Sequence, residues 1–299
     1  MVRVHPDFYL EFHCIAGQCK HSCCIGWEID VDEDTMEDYQ QVGGAFGERL
    51  HKCIAGEEPH FVLGEGERCP FLNGENLCDI IINLGEDSLC QICADHPRFY
   101  TWLPDRVEEG LGLCCEEAAR LLLSHEGSIR FLEQEEPDEE DYEADEGYYA
   151  LLRRREKVFA CLQDRTRTIQ ERLAAAFAIH GAELEKRNIA EDIAFLDTLE
   201  ILDEHWRELL RQWTPADPWP EKEAEHLLVY LVYRYYLSAT LEQGDALFPL
   251  RFGAMTLGVL AGLPEESHEE LVRMWSAELE YSEENLERIA AYLSGENMR

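Results

Sequence analysis

The sequence predicts a mainly α-helical protein, with an irregular, Cys-rich N-terminal region packed on a C-terminal helical region. Three observations predict this organisation. Eleven of the twelve cysteines lie between residues 14 and 115, among many glycines and turn signals. Residues 133–146 carry ten acidic side chains in fourteen positions and no basic one. After residue 147, apolar residues recur every three or four positions, which is the period of an amphipathic helix.

Short helices are expected in the N-terminal region, residues 1–132. Asp32 is a capping residue, and DEDTMEDYQQV predicts a helix that follows it. DSLCQICADHPR predicts about two helical turns that stop near Pro97, because proline cannot continue a helix. CCEEAARLLLS predicts a helix with Glu in its first turn, where the helix dipole favours negative charge.

Residues 133–147 are predicted to form an acidic linker. A segment so rich in like charges cannot bury a core, so we expect a solvated connection. The alternative is a docking strip for a basic partner.

The region 148–299 reads as helical throughout. The residues 227–241 are apolar on almost all sides and predict a central buried helix. Two more helices are expected from about Glu265 and about Glu283, and a proline-rich break is expected near 215–220. The apolar positions that recur at helical spacing are Ile169, Leu173, Phe177 and His180, and then Phe195, Leu199, Leu202, Trp206, Leu209 and Trp213.

The charge balance excludes some classes of partner. The chain has 26 basic and 63 acidic residues, a formal net charge of -37. Binding to nucleic acid or to an anionic membrane surface depends on Lys and Arg, so neither partner is expected. The acidity favours solubility, or else it attracts a cationic substrate such as a lysine side chain or a sulfonium cofactor.

A cytoplasmic location is expected, since the N-terminus lacks a signal-peptide pattern and the most apolar run, Leu227–Tyr233, is too short to span a membrane.

Thiols stay reduced in the cytoplasm, and nine or more of them in about a hundred residues indicate metal binding rather than disulfides. Thiolates suit zinc and iron–sulfur clusters, which both commonly take four cysteines. Bound metal would link distant segments of this region and so make it metal-stapled. The predicted metal ligands are Cys14, Cys19, Cys23, Cys24, Cys69, Cys78, Cys90, Cys93 and Cys115.

Several details refine this set. The adjacent Cys23 and Cys24 are expected to have different roles. One is a metal ligand, and the other is either buried or a ligand of a second metal centre. Cys115 stands where a helix begins, which lowers the pKa of a thiol and favours the metal-binding thiolate. Cys53 and Cys161 are expected to be small buried hydrophobes, and Cys114 could be either. The histidines beside the cysteines, for which capping or surface roles are expected, are His13, His21 and His96.

These blocks closely resemble the flagellin lysine-N-methylase family, within the wider group of YkgJ-type cysteine-cluster proteins described as zinc- or iron-chelating. The blocks are FHCIAGQCKHSCCIGWEIDVD, CPFLNGENLCDIIINLGEDSLCQICADHPRF and CCEEAARLLL. The resemblance continues through LLRRREKVFACLQDRTRTIQERL, HLLVYLVYRYYL and AELEYSEENLERI, in the same order along the chain.

The resemblance implies an enzyme that transfers methyl groups from S-adenosylmethionine to lysine ε-amines of flagellin. It also implies an iron–sulfur cluster, of 4Fe–4S type, with zinc as the alternative, and its matching thiols are the nine given above. Cys114 and Glu116 replace a Ser and a Pro that the family usually has, and His96 replaces a Tyr. None of these differences removes a matching thiol.

The sequence assigns no catalytic residue, no methyl-donor site and no oligomeric state. A P-loop, a nucleophile elbow, an H-E-x-x-H motif and a G-x-G-x-G loop are all absent. Trp27 and Tyr100 could cover a cation, although core packing is the expected role. Two rival functions therefore stay open: a non-enzymatic zinc- or iron-binding or electron-transfer module, and a zinc-stabilised scaffold whose acidic face docks a basic partner.

Overall fold

The computed structural model describes residues 1–135, 145–264 and 266–295. Those residues contain thirteen α-helices and six strands, so the prediction of a mainly α protein is confirmed. The strands are β1 (Val2–Pro6), β2 (Ile54–Ala55), β3 (His60–Phe61), β4 (Arg98–Trp102), β5 (Arg106–Leu111) and β6 (Phe131–Glu135). The helices are α1 (Glu33–Gln41), α2 (Gly44–Cys53), α3 (Asp79–Leu84), α4 (Gln91–Asp95), α5 (Glu116–Ser124), α6 (Glu146–Leu162), α7 (Ile169–Ile179), α8 (Ile189–Leu196), α9 (Glu204–Arg211), α10 (Glu221–Gln243), α11 (Phe248–Ala261), α12 (His268–Leu279) and α13 (Glu283–Ser294).

The chain divides into two units. One, which we term the cysteine unit, comprises His13–Phe99 and Cys115–Glu117. The other, the helical unit, comprises Met1–Phe12, Tyr100–Cys114 and Ala118–Arg299.

This division differs from the predicted boundary near residue 132. In the helical unit, β1 pairs in parallel with β5 and antiparallel with β6, so the start of the chain is part of that unit. The four-stranded sheet has the order β4-β5-β1-β6 and was not predicted. The predicted linker 133–147 begins inside β6 and ends inside α6, and its residues 136–144 lie outside the described residues.

The helical unit is built around α10, as the apolar run predicts. All residues from Leu227 to Tyr233 are buried, and Leu227 and Leu231 have no exposed surface. The hydroxyl of Tyr233 donates to the carbonyl oxygens of Val4 (2.6 Å) and Glu109 (3.1 Å). Two hydrogen bonds therefore tie the central helix to the sheet.

Two helices replace the continuous helical pattern expected from Phe195 to Trp213. The chain leaves α8 after Leu196 and enters α9 at Glu204. In the gap, the buried Glu278 carboxylate accepts hydrogen bonds from the backbone N–H groups of Leu202 (2.9 Å) and Asp203 (2.8 Å). Because a distant side chain satisfies these backbone groups, the helix can stop where the apolar spacing continues.

The other predicted helices of this unit match the structure closely. The helix α7 begins at Ile169, after a capping box formed by Thr168 and Glu171. Ser282 caps α13 at its predicted start. The helix expected from about Glu265 begins at His268, and Glu265 itself lies outside the described residues.

In the part of the chain that the structure describes, no helix is at once long and apolar enough for a membrane crossing.

The cysteine unit consists of short helices around a small core, as expected. Asp32 caps α1 by accepting a hydrogen bond from Thr35 N at 3.0 Å. The segment before Pro97 forms less helix than predicted: a single 3₁₀ turn, Glu86–Ser88, and the five residues of α4.

Candidate functional site

The structure places all nine predicted metal ligands in the cysteine unit. Of the other three cysteines, Cys114 and Cys161 lie in the helical unit, and Cys53 lies in the cysteine unit. None of the twelve cysteines, all of which are among the described residues, forms a disulfide. Thiols that are up to 101 positions apart, from Cys14 to Cys115, thus fold into one small unit.

Five of these thiols, which we term the inner thiol group, belong to the core of the unit. They are packed with Tyr39, Leu50, Phe61 and Phe71 in one apolar cluster. The members of the inner thiol group are Cys24, Cys69, Cys78, Cys90 and Cys93.

The thiols of the inner group influence one another electrostatically. Cys93 interacts electrostatically with Cys90, Cys24 and Cys69, and its side chain is hydrogen-bonded to Cys90. Cys69 interacts in the same way with Cys24 and Cys78. The backbone N–H of Cys69 also donates to the carbonyl of Cys24 at 2.8 Å. Each of the five thiols therefore interacts electrostatically with at least one other member.

Helix starts and one ordered loop position these thiols. Cys78 and Cys90 are the N-cap residues of α3 and α4, so their side chains stand at the ends of helices. The loop between Cys69 and Cys78 is held by Arg68, whose guanidinium donates to the Asn73 carbonyl at 2.6 Å. Asn73 Oδ1 in turn accepts from the backbone N–H of Leu77 at 3.1 Å.

The other four thiols, which we term the outer thiol group, are nearer to solvent. Cys14 and Cys23 are exposed, whereas Cys19 and Cys115 are half-buried. Cys23 interacts electrostatically with Cys14 and Cys115, and Cys19 interacts with Cys115. The outer thiol group thus joins two segments of sequence, residues 14–23 and the start of α5.

Glu116 organises one side of the outer thiol group. Its Oε2 accepts a hydrogen bond from the backbone N–H of Lys20 at 2.9 Å and lies 3.6 Å from Cys19 Sγ. Cys19 Sγ also lies 3.2 Å from the carbonyl oxygen of His21. The start of α5 is therefore bound to the first cysteine segment by a carboxylate.

The two groups meet at the adjacent Cys23 and Cys24. A hydrogen bond between their side chains lowers the pKa of Cys24 to about 6 and raises the pKa of Cys23, which is then the donor. In the inner thiol group, a hydrogen bond from Cys93 lowers the pKa of Cys90 and raises that of Cys93. In each pair the hydrogen bond therefore favours the thiolate form of the accepting sulfur, which is the form that binds metals.

Burial acts in the opposite direction on other thiols. Desolvation raises the pKa of Cys19 to about 11 and that of Cys69 to about 12, and it also raises the pKa of Cys78. These buried sulfurs are costly as anions unless a cation is close. Within the described ranges, no three Cys, His, Asp or Glu side chains are arranged so that they could hold a metal ion as they stand.

Tyr39 and Glu116 are residues of the site that sequence reasoning missed. The Tyr39 hydroxyl donates to the Ser88 carbonyl at 2.7 Å and lies 3.7 Å from Cys90 Sγ. Met36 and Tyr39, three positions apart on α1, form an apolar pair that indicated burial but not a contact with sulfur. Glu116 stands in the first turn of a predicted helix, where its negative charge was expected to interact favourably with the helix dipole.

The histidines and aromatic residues near the cysteines differ in their exposure to solvent. His13 and His21 are exposed, and His96 is half-buried. Burial lowers the pKa of His96 to about 4, so its imidazole is neutral at physiological pH. Trp27 is in the cysteine unit, whereas Tyr100 is in the helical unit, and both are partly buried.

Three proteins of known name are similar to the chain. The lysine-N-methylases of Salmonella typhimurium and Salmonella choleraesuis are each 27% identical over 143 residues, which cover 43% of this chain and 34% of theirs. The flagellar biosynthetic protein FliU of Salmonella muenchen is 27% identical over 127 residues, which cover 40% of this chain and 75% of that protein. No family profile and no solved structure matches the chain.

These similarities support a flagellin lysine-N-methylase-like family for the chain, as the sequence resemblance predicts. The match spans about a third of the length of the curated lysine-N-methylases.

Proposed function

We propose that this protein is a lysine N-methyltransferase, with S-adenosylmethionine as the methyl donor and flagellin as the substrate. The names of its relatives support methylase chemistry and a flagellar substrate. The observation that carries the proposal is the convergence in one unit of the nine thiols that match the family.

The proposed metal group is an iron–sulfur cluster, of 4Fe–4S type, with zinc as the alternative. The chemistry of the donors suits such a group in three respects: they are all thiols, none forms a disulfide, and Cys24 and Cys90 have lowered pKa values. Metal binding would require the thiols to draw together, because no three of the described Cys, His, Asp or Glu side chains are arranged to hold an ion as they stand. Bound metal would link the segments of the cysteine unit through their thiol ligands. Its positive charge would also stabilise thiolates, whose formation burial otherwise disfavours.

Methyl transfer to lysine requires a neutral ε-amine, because the nitrogen lone pair attacks the methyl carbon as the bond to the sulfonium sulfur breaks. A desolvating pocket or a base would supply that neutral form. The acidic charge of -37 favours the approach of a cationic lysine side chain. Trp27 is the aromatic residue of the cysteine unit that we propose as a cation–π contact for such a cation.

A second candidate function is a non-enzymatic zinc- or iron-binding or electron-transfer module. One observation favours it: the match covers 34% of the length of the lysine-N-methylases, so the shared segment need not include their methyl-transfer site.

The test is incubation of anaerobically purified, metal-loaded protein with flagellin and methyl-labelled S-adenosylmethionine. We expect label on lysine residues, and we expect Cys90→Ser to abolish both labelling and metal content. Cys161→Ser, which changes a thiol of the helical unit, is the matched control and should retain both. A metal-loaded protein that transfers no label would exclude the enzyme and favour the module.

A further inference from the structure

Cys90 and Cys93 lie on one tight turn of the cysteine unit. The backbone N–H of Cys93 donates to the carbonyl of Cys90 at 2.9 Å, so the chain folds back within the C-x2-C segment. The first and fourth Cα atoms of such a turn are less than about 7 Å apart, and disulfides join residues whose Cα atoms are about 4.4–6.8 Å apart. The backbone of this turn is therefore compatible with a disulfide as it stands.

The side chains of the two residues also contact each other. A hydrogen bond joins the Cys93 thiol to the Cys90 sulfur. Both residues are packed in the apolar cluster of the unit, where Cys90 has no exposed surface and Cys93 is half-buried. A disulfide needs only these two sulfurs, whereas no three of the described Cys, His, Asp or Glu side chains are arranged to hold a metal ion.

Contacts with α1 and its cap hold the chain on both sides of Cys90. The Tyr39 hydroxyl donates to the Ser88 carbonyl at 2.7 Å and lies 3.7 Å from Cys90 Sγ. The carboxylate of Asp32 accepts from the backbone N–H of Gln91 at 2.8 Å. Because the segment is already ordered, closing a bond within it costs little further conformational entropy.

The adjacent Cys23 and Cys24 are a poorer candidate for a disulfide, although their side chains are hydrogen-bonded too. Consecutive Cα atoms are about 3.8 Å apart, which is shorter than the separation usual for disulfides. A bond between these two residues would therefore require a distorted backbone. We expect oxidation to close the C-x2-C pair before the adjacent pair.

We propose that Cys90 and Cys93 form a reversible disulfide, and that this dithiol is a redox switch which decides whether the two sulfurs can bind metal. The disulfide rests on the turn and the contacts around it, while its effect on metal rests on the metal part of the proposed function. Cysteine binds metal as a thiolate, so two sulfurs that are bonded to each other are lost as ligands.

The oxidant is a peroxide, which we expect to reach the half-buried Cys93 first. One peroxide oxygen is transferred to Cys93 Sγ, which becomes a sulfenic acid, and the other oxygen leaves as water. Cys90 Sγ then attacks Cys93 Sγ, the S–S bond forms, and the hydroxyl group leaves with the Cys90 proton as a second water. A small dithiol such as dithiothreitol reverses the oxidation by thiol–disulfide exchange.

The test is mass spectrometry of reduced, metal-free, full-length protein after treatment with a small excess of hydrogen peroxide and then with a maleimide. Cleavage before aspartate releases residues 87–94, whose only cysteines are Cys90 and Cys93. We expect this peptide to be unlabelled and lighter by two hydrogen atoms, and to carry two labels after treatment with dithiothreitol. A peptide that still carries two labels after peroxide, or a link from either residue to another cysteine, would overturn the disulfide.

Zinc binding tests the switch. Oxidised protein should bind zinc at least about tenfold more weakly than reduced protein, because it lacks two ligands, and re-reduction should restore binding. Equal zinc binding by the two forms would overturn the switch. Reduced protein that binds no metal would instead contradict the metal part of the proposed function, and the peptide would still decide whether the disulfide forms.

Cys53→Ser is the matched control. Cys53 packs against the same apolar core but does not belong to the C-x2-C pair. The variant should form the disulfide, and lose and regain zinc binding, as the wild type does. Loss of the disulfide in this variant would contradict a bond between Cys90 and Cys93.

Discussion

A buried ion pair shows how single residues stabilise the helical unit. The guanidinium of Arg155 donates to both carboxylate oxygens of Glu108, with one contact of 2.6 Å, and both side chains are almost fully buried. The Arg155 guanidinium also lies 5.4 Å from the centre of the Phe159 ring. Neither charge can reach water if its partner is removed.

Arg155→Met should therefore lower the unfolding free energy by about 3–5 kcal/mol, because Glu108 is left buried and unpaired. Adding Glu108→Gln should restore part of the loss. Urea denaturation measures both effects. Arg153→Met is the matched control on the same helix, since its partner Glu146 is exposed, and it should change stability far less. Equal losses in the two single variants would contradict this role of Arg155.

A second residue-scale prediction concerns His226, which is completely buried. Its Nε2 lies 2.9 Å from the Gly127 carbonyl, and the nearby charged and titratable groups are His125, Glu225 and Arg165. Burial lowers the pKa of His226 below its ordinary value of about 6.5. As the pH falls below that value, the unfolded chain takes up the proton first, so the folded state loses stability.

His226→Gln should reduce the loss of unfolding free energy between pH 7 and pH 5. Urea denaturation at the two pH values, in wild type and variant, measures the difference. His205→Gln, which makes the same substitution at an exposed position, is the matched control. An unchanged pH dependence in His226→Gln would show that this imidazole does not contribute.

At the scale of elements, the break between α8 and α9 depends on buried polar side chains from α12 and α13. Asn285, which has no exposed surface, accepts from the Glu200 N–H at 3.0 Å. Its Nδ2 donates to the carbonyls of Glu200 (2.8 Å) and Glu278 (2.9 Å). The two bonds to Glu200 hold the non-helical connection, and the third ties Asn285 to the end of α12.

Asn285→Ala should lower the unfolding free energy by about 2–4 kcal/mol, because it removes a fully buried side chain together with its three hydrogen bonds to backbone groups of Glu200 and Glu278. Thermal or urea denaturation gives the value. Asn188→Ala removes an exposed contact with the Glu191 side chain and is the control, with a smaller expected change. If Asn285→Ala and Asn188→Ala lowered the unfolding free energy by similar amounts, this would contradict the importance of the Asn285 hydrogen bonds.

Local signals predicted the helices well and the sheet poorly. Capping by Asp32 and Ser282 and the apolar run of α10 are properties of neighbouring residues, so the sequence reveals them. The strand β1 owes its place to partners more than 100 residues away, which no local pattern records. The α8–α9 break has the same cause, since the groups that satisfy it come from Glu278 and Asn285.

At the scale of the whole molecule, the spacing of cysteines predicts a set of metal-binding thiols but does not predict how the fold divides them. C-x4-C-x3-C-C and C-x2-C indicate metal binding from local chemistry alone. The separation into inner and outer thiol groups depends on packing around Phe61 and Phe71, and on the contact of Glu116 with Cys19. These contacts join distant segments, so only the folded chain shows them.

Metal removal should destabilise the cysteine unit in particular. Binding to the folded state alone stabilises that state, so chelator treatment of reduced protein should lower the melting temperature. Hydrogen exchange measures where the change lies. We expect faster exchange in residues 13–99 and little change in α10, and a uniform change across both units would contradict a local role of the metal.

The central claim, that the nine thiols bind soft metal, is tested most directly by X-ray absorption at the iron and zinc edges. The sample is oxygen-free, full-length protein of known metal content. We predict bound iron or zinc whose first coordination shell is sulfur, at about 2.3 Å for zinc. Well-folded protein that contains neither metal, or a first shell made of nitrogen and oxygen, would contradict the account.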